Sequence, residues 1–372
     1  MTRRRVLLVS ALVVATAVAT VIAFAAFRGQ GLGCLRVQSA KELAFSDVRV
    51  QSSSGTTFEP GRVDSVLSPD APRAEVFATT ASRRLYVGGG HPFVWRARKT
   101  LTPGQLVFSH NSRHEVLFAS QQALYRSDDQ GRSWLRLSCG LILTGVAVSP
   151  RDPGTIYIAA NPGVDYEHDS LGGLYRTTDG GQTWKRFTRF PKTNPAEPTV
   201  NVVAVDPTDP QHVFIGTEGG GLLRSTDGGE HWAFTRIARP GNGLNGPQLI
   251  DLAFGPGGSP ALWGSSRFAG VFRGDRLGRS WSARGLKGAW VGQIVPDRRN
   301  PNVVYAVVQG KGAVRTLDGG KHWLRMKGLP PGIDGMTIAT GDTLYAWQGR
   351  QIFRSVTQGA NWAHLPLLPS LR

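Results

Sequence analysis

One eight-residue pattern, S/T-x-D-x-G-x-x-W, recurs down this chain and limits its folds more than any other feature. It stands at residues 127–134 (SDDQGRSW), 177–184 (TTDGGQTW), 225–232 (STDGGEHW) and 316–323 (TLDGGKHW). Residues 274–281 (GDRLGRSW) and 355–362 (SVTQGANW) keep the glycine and the tryptophan but lose the aspartate. Successive tryptophans lie 50, 48, 49, 42 and 39 residues apart, the length of one unit of four short strands. Self-similarity at such a period is the mark of an array, in which each unit buries its apolar face only against its neighbours.

The unit is clearest at residues 199–236, TVNVVAVDPTDPQHVFIGTEGGGLLRSTDGGEHWAFTR. An apolar run, 202–205, ends at Asp206-Pro207, where the fixed proline φ turns the chain. A second strand over 212–216 meets three glycines, a third over 222–225 runs into the repeated box, and Trp232 opens a fourth. Short strands bounded by Gly, Pro and Asp are the substance of an antiparallel four-stranded sheet. Within the box, Asp227 can accept backbone N–H bonds, Gly229 can take a positive φ, and Trp232 can fill the space between neighbouring sheets. The same roles fall to Ser127, Asp129, Gly131 and Trp134, to Asp179, Gly181 and Trp184, and to Asp318, Gly320 and Trp323. A reaction needs one constellation, and near-copies of one turn serve every unit equally, so these aspartates are structural. Six units carry a box or its remnant, and a seventh without one precedes them at 74–99, with strands in EVFATT, RRLYVGGG and FVWRAR. The expected fold is all-β, a single seven-bladed β-propeller, with six or eight blades as alternatives. Residues 43–58 are a candidate for a strand that closes the ring.

The boxes quoted above resemble the Asp-box (BNR) repeat family. That family includes sialidases, xyloglucan-cleaving glucanases, sortilin-type receptors and photosystem II stability and assembly factors. The resemblance covers residues 76–365 and implies boxes at the periphery of each blade, away from the axial cleft. Sortilin-type receptors have ten blades and the xyloglucan enzymes pair two propellers. The architecture is therefore most similar to the assembly factors, single seven-bladed propellers behind a targeting segment.

Residues 1–28 are a different object. Arg3, Arg4 and Arg5 precede 22 uncharged residues, 6–27, ended by Arg28. About 20 apolar residues span a bilayer, and the basic cluster stays on the cytoplasmic side. The expectation is a signal anchor in the cytoplasmic membrane, single-pass, with the propeller outside. A signal peptide cleaved after Ala23-Phe24-Ala25 is the alternative, and a lipoprotein at Cys34 fits poorly because Gly31 stands where an apolar residue is needed. The domain reading is 1–28 anchor, 29–72 linker, 73–366 propeller and 367–372 tail. Cys34 and Cys139, the only cysteines, either pair in an oxidising compartment or stay as two thiols.

The formal net charge is +17, of which the anchor holds four. In the unit above, the Asp-Pro turn and the box turn fall at one end of the sheet. The glycine turn and the connection to the next sheet fall at the other. Those connections carry Arg186, Arg189 and Lys192, then Arg236 and Arg239, Arg284 and Lys287, and Arg325 and Lys327. A basic face opposite an acidic one is expected, suited to an acidic protein segment or anionic headgroups. No aromatic residues interleave these arginines, and export excludes nucleic acid as a partner. Ordinary solvated surface charge is the plain alternative.

Chemistry is harder to find. The resemblance implies that a sialidase would carry an [FY]-R-I-P motif before the first box, and none is present; Arg236-Ile237-Ala238 is misplaced. Other glycosidases need two carboxylates flanking the scissile bond. The best acidic group lies in the insertion 161–173 (NPGVDYEHDSLGG), with Asp165, Glu167 and Asp169 beside Tyr166 and His168; Asp251 and Asp334 are weaker candidates. A polar loop tip is the commoner explanation of that insertion, and one local loop does not make a metal site. No cofactor or metal is expected. Two readings stand: a monomeric, non-catalytic scaffold for an envelope or membrane protein, or an extracytoplasmic glycoside hydrolase. A carbohydrate-binding propeller using Trp290 is a third.

Overall fold

The computed structural model describes residues 63–368 apart from 68–75, 81–83, 90–92, 101–103, 109–115, 121–122, 130–132, 139–141, 162–172, 188–189, 192–199, 218–220, 236, 238–248, 259 and 340–342. The anchor, Cys34, Cys139 and residues 43–58 lie outside the described residues. Among those described, no helix is long and apolar enough to cross a membrane.

The described residues form seven four-stranded sheets, each antiparallel and following the chain from its innermost to its outermost strand. The innermost strands are Val63–Leu67, Gly104–Phe108, Ile142–Val148, Val200–Val205, Leu249–Phe254, Val291–Pro296 and Gly335–Ile338. Each touches the next, and the last touches the first, so the sheets run in a cycle. This is the architecture of a β-propeller. The fourth sheet is built as its residues demand, with strands Val200–Val205, Val213–Thr217, Gly221–Ser225 and Ala233–Phe234. The boxless first sheet takes its innermost strand, Val63–Leu67, from the segment read as linker, and Val76–Thr80, Arg84–Gly89 and Val94–Thr100 complete it.

The core lies in the seams rather than inside any one sheet. Leu117, Leu124 and Leu137 of the second sheet pack on Ile156, Ile158 and Tyr175 of the third. Similar clusters join each later pair. The cycle closes where Tyr86 and Trp95 of the first sheet meet Tyr345, Trp347 and Leu368 of the last, and Trp95 Nε1 donates to the Pro366 carbonyl at 2.8 Å. At about 25 cal/mol per Å² of apolar surface, such aromatic burial is the main stabilising term at a seam.

The box is what aligns one sheet with the next. Its tryptophans 184, 232, 281, 323 and 362 each pack into the seam with the preceding sheet. Trp184 Nε1 reaches the Leu137 carbonyl at 3.1 Å, and Trp323 Nε1 the Arg284 carbonyl at 2.6 Å. Inside the turn, Asp227 Oδ1 accepts Ser225 Oγ and the His231 N–H, while Ser225 Oγ accepts the Gly229 N–H at 2.8 Å. Gly320 sits at φ 86°, and a Cβ there would stand 2.7 Å from Arg284 Cβ of the preceding sheet, so only glycine fits.

The two worn boxes are compensated. Asp275, one residue early, accepts the N–H groups of Arg279 and Ser280 and the Ser280 hydroxyl. Thr357 takes the aspartate's place by accepting the Asn361 N–H at 2.9 Å. Arg276, where the aspartate would be, instead pairs at 2.7 Å with Asp206 of the preceding sheet, which is fully buried.

An arginine that precedes the box completes the seam. Arg126, Arg176, Arg224 and Arg315 donate through Nη1 to the carbonyls of Gly180, Gly228, Leu277 and Gln358, each the fourth box residue of the next sheet. Arg354 holds the equivalent position in the seventh sheet, faces a first sheet without a box, and is exposed. Hydrogen bonds from a charged donor are worth about 1.5–3 kcal/mol. Arg176→Ala should therefore destabilise the fold by about 2 kcal/mol, and Arg354→Ala by less than about 0.5 kcal/mol, as surface changes do. Urea unfolding midpoints of the two variants check this, and equal losses would refute the latch.

Candidate functional site

Each sheet has two ends of different character. The first turn and the box turn share one end, where the Gly228 N–H donates to the Gln211 carbonyl and the Gly319 N–H to the Asn302 carbonyl, both at 2.9 Å. The turn between the second and third strands and the connection to the next sheet share the other.

At the box end, the acidic side chains are committed to the fold. Asp206, Asp152 and Asp297 accept N–H groups of their own turns. Burial works against ionising Asp179 and Asp227, but hydrogen bonds from Thr183 and Thr177, and from His231 and Ser225, outweigh it and hold both carboxyls at about 2. Asp318 lies lower still through bonds from His322. Arg276, Arg279 and Lys321 stand among these carboxylates, so this end carries both signs.

At the connection end the described charges of the last three sheets are basic but for Asp334. Arg267 lies on the turn 266–270, Lys287 on the connection 284–290, Lys311 and Arg350 on the turns of the sixth and seventh sheets, and Lys327 on the connection after Leu324–Arg325; all are exposed. The exposed Asp334 receives the Gly349 N–H at 2.8 Å. Arg267 is stacked on aromatic rings, its Cζ 4.3 Å from the Trp290 centroid and 5.7 Å from that of Phe268, which is 65% exposed. The two loops are latched: the Gly288 N–H donates to the Phe268 carbonyl at 2.8 Å, and the Val271 N–H to the Gly285 carbonyl at 3.0 Å.

The residues expected from sequence divide. Lys287 and Lys327 stand on connections, as anticipated. Arg186 lies on the outermost strand Lys185–Phe187 with its Cζ 5.9 Å from the Tyr175 ring. Arg325 lies on the strand Leu324–Arg325. Arg284 packs its stem beneath the next box glycine, a seam position held by Leu137 beneath Gly181. Arg189, Lys192, Arg236 and Arg239 lie outside the described residues, as do Asp165, Glu167, Asp169 and Gly131. Sequence reasoning missed Arg267, Phe268, Lys311 and Arg350. Their signal was available, because each falls in a glycine-bearing turn after the second strand of its unit.

The weaker acidic candidates are held by backbone. Asp251, on the innermost strand Leu249–Phe254, accepts the Leu252 N–H and, across the seam, the Ile294 N–H, both at 2.9 Å. Burial raises its pKa against those two donors. One sheet on, Gln293 spans the following seam in the same way, donating to the Met336 carbonyl and accepting its N–H, each at 2.9 Å. A position shared with a glutamine that does the same work is a strap between innermost strands. Among the described residues, no three His, Cys, Asp or Glu side chains gather as a metal site.

Repeats, sheets and seams together define a β-propeller, and its recurring turns are similar to Asp-boxes. The BNR/Asp-box repeat family matches at residues 175–186, the third strand and box of the third sheet. The xyloglucanase Xgh74A of Acetivibrio thermocellus is 24% identical over 314 residues, covering 76% of this chain and 33% of its own length. The chain thus spans about a third of the curated relatives it matches. Among solved structures, the GH74 enzyme of Niastella koreensis superposes with a TM-score of 0.61 at 14% identity, over 82% of this chain and 54% of that one. YCF48 from Cyanidioschyzon merolae does so with a TM-score of 0.51 at 17% identity, over 70% and 84%. At these identities the likeness is one of fold.

The depressed carboxyls of Asp179 and Asp227 set a pH dependence. Their folded values lie below the unfolded value of about 3.9, so they stabilise the fold above about pH 4 and lose that contribution as pH falls toward 2. The urea midpoint should be level between pH 5 and 7 and drop below pH 4. The double variant Asp179→Asn, Asp227→Asn should start lower at pH 7 and drop less; an unchanged acid slope would refute the assignment.

Proposed function

We propose that this chain is a membrane-anchored, extracytoplasmic, seven-bladed propeller that acts as a non-catalytic scaffold. It holds an envelope or membrane protein client through the basic connection end of the ring. The observation that carries this reading is the state of the charges there. Arg267, Lys287, Lys311, Lys327 and Arg350 are exposed and have no acidic partner among the described residues. Exposed, unpaired like charges keep a field over the ring face, and such a field steers an acidic segment toward it. Fold likeness to YCF48 is compatible with this role and to the GH74 enzyme with another, so the fold decides neither.

A second reading, extracytoplasmic glycoside hydrolysis, draws on the sequence similarity to xyloglucanase Xgh74A. It needs two carboxylates free to act on a glycosidic bond. Asp251 and Asp334 both accept backbone donors, and the main candidates of this reading, Asp165, Glu167 and Asp169, lie outside the described residues.

Capture of clients from detergent-solubilised membranes tests the proposal. The triple variant Lys287→Glu, Lys311→Glu, Arg350→Glu should lose the partners that the wild type retains at low salt, and raising the salt should weaken wild-type capture. Identical partners for both proteins would defeat the scaffold reading, and turnover of xyloglucan by the purified chain would establish the second one.

A further inference from the structure

We propose that Arg267, framed by Trp290 and Phe268, is a preformed receptor for a carboxylate carried beside an apolar side chain on an acidic polypeptide segment. This deepens the scaffold reading and rests on it for the class of partner.

Three observations converge on this corner of the ring. The Arg267 guanidinium is oriented by two rings, 4.3 Å from Trp290 and 5.7 Å from Phe268, and no other polar or charged partner holds it among the described residues. Stacking fixes the plane of a guanidinium while leaving its in-plane N–H groups free, the arrangement that takes a carboxylate in a bidentate pair. Phe268 is 65% exposed beside it, an apolar surface open to solvent.

The frame is also stiff. Gly285, Leu286 and Gly288 all have positive φ, at 88°, 56° and 78°, and Leu286 alone among them bears the steric cost of a side chain there. Its side chain packs with Val271, Ala289 and Val291 in the seam between the fifth and sixth sheets. Gly270 cannot carry a Cβ, which would collide with the Gly285 carbonyl. A receptor ordered before its ligand arrives loses little entropy on binding. Lys287, in the same strained run, adds a second positive charge.

The geometry favours polypeptide over sugar. A pyranose ring stacks on a bare aromatic face, whereas the Trp290 face is covered by Arg267 at 4.3 Å. An extended peptide with alternating acidic and apolar residues can place a carboxylate on Arg267 and its neighbour on Phe268.

The test is fluorescence-polarisation titration of the full chain in detergent with the labelled peptide Gly-Phe-Glu-Leu-Glu-Gly and its Gln-for-Glu counterpart, with glucuronate oligomers and inorganic phosphate as competitors. The Glu peptide should bind at least tenfold more tightly than the Gln peptide. Arg267→Lys, which keeps charge but not the planar fork, should weaken it about tenfold, and Arg267→Glu should abolish it. Arg267 is exposed, so unfolding midpoints should stay unchanged. Equal binding of the two peptides, or an Arg267→Lys variant as good as wild type, overturns the receptor. So does tighter binding of glucuronate oligomers or phosphate than of the Glu peptide, which would make it a glycan or phosphate site. If Arg267-dependent peptide binding holds while membrane capture finds no client, the scaffold reading fails and the receptor stands; the reverse pattern leaves the face and removes the receptor.

Discussion

The seam between neighbouring sheets governs this molecule. No single sheet here has a core of its own: a two-residue outermost strand such as Ala233–Phe234 or Leu324–Arg325 cannot cover the face behind it. Stability therefore depends on bringing each sheet against the next at one angle. Three contacts fix that angle: the box tryptophan in the preceding seam, the box glycine over the residue that follows the preceding outer strand, and the arginine that reaches forward to the next box carbonyl. All three act on the same turn, so a shift of one sheet would break them together. The aspartate contributes by holding the turn's shape. Its place can be taken by Asp275 one position away or by Thr357, provided the N–H donors of the turn find an oxygen.

This division of labour explains why the two ends of the ring differ. At the box end, carboxylates and carbonyls are consumed by internal bonds, and Asp206 even serves the neighbouring sheet through Arg276. At the other end, the turns 309–311 and 349–350 are tied to the connections through backbone, by the Gln309 N–H to the Trp290 carbonyl and the Gly349 N–H to Asp334, and the side chains of Lys311 and Arg350 stay exposed. The ring supplies the rigidity and the connection end supplies side chains free to meet a partner, as rigid scaffolds with functional loops generally do.

Much of the fold was legible because the box couples sequence to geometry so tightly. Serine or threonine, aspartate, glycine and tryptophan each do one physical task in the turn, and their spacing reads directly as a four-stranded unit. The first sheet was read less well: it lacks a box, and Val63–Leu67 lies in a stretch whose Ser, Gly and Pro content suggests linker. The arginine latch was hidden because the repeat was counted from the serine or threonine, one residue after Arg126, Arg176, Arg224 and Arg315. Locating the site from sequence was harder for a different reason. Charge is visible in a sequence, but whether a charge is already engaged is not. Arg284 reads as a surface arginine on a connection, yet its stem fills the seam. Arg267 looks no different from it in sequence, and the structure gives it two rings and, among the described residues, no acidic partner.

The same distinction bears on catalysis. An acid or base in a hydrolase must exchange a proton with substrate, so its oxygens cannot all be committed to backbone donors in the resting fold. Asp251 has the raised pKa of a potential general acid, but both of its oxygens hold N–H groups, one of them across a seam. Gln293, which cannot ionise, occupies the corresponding place one sheet later and bridges to Met336. Burial between innermost strands thus produces a perturbed carboxyl as a by-product of strapping sheets together. Perturbed charge along the axis therefore reports how the sheets are strapped together, whereas unengaged charge is found on the connection end.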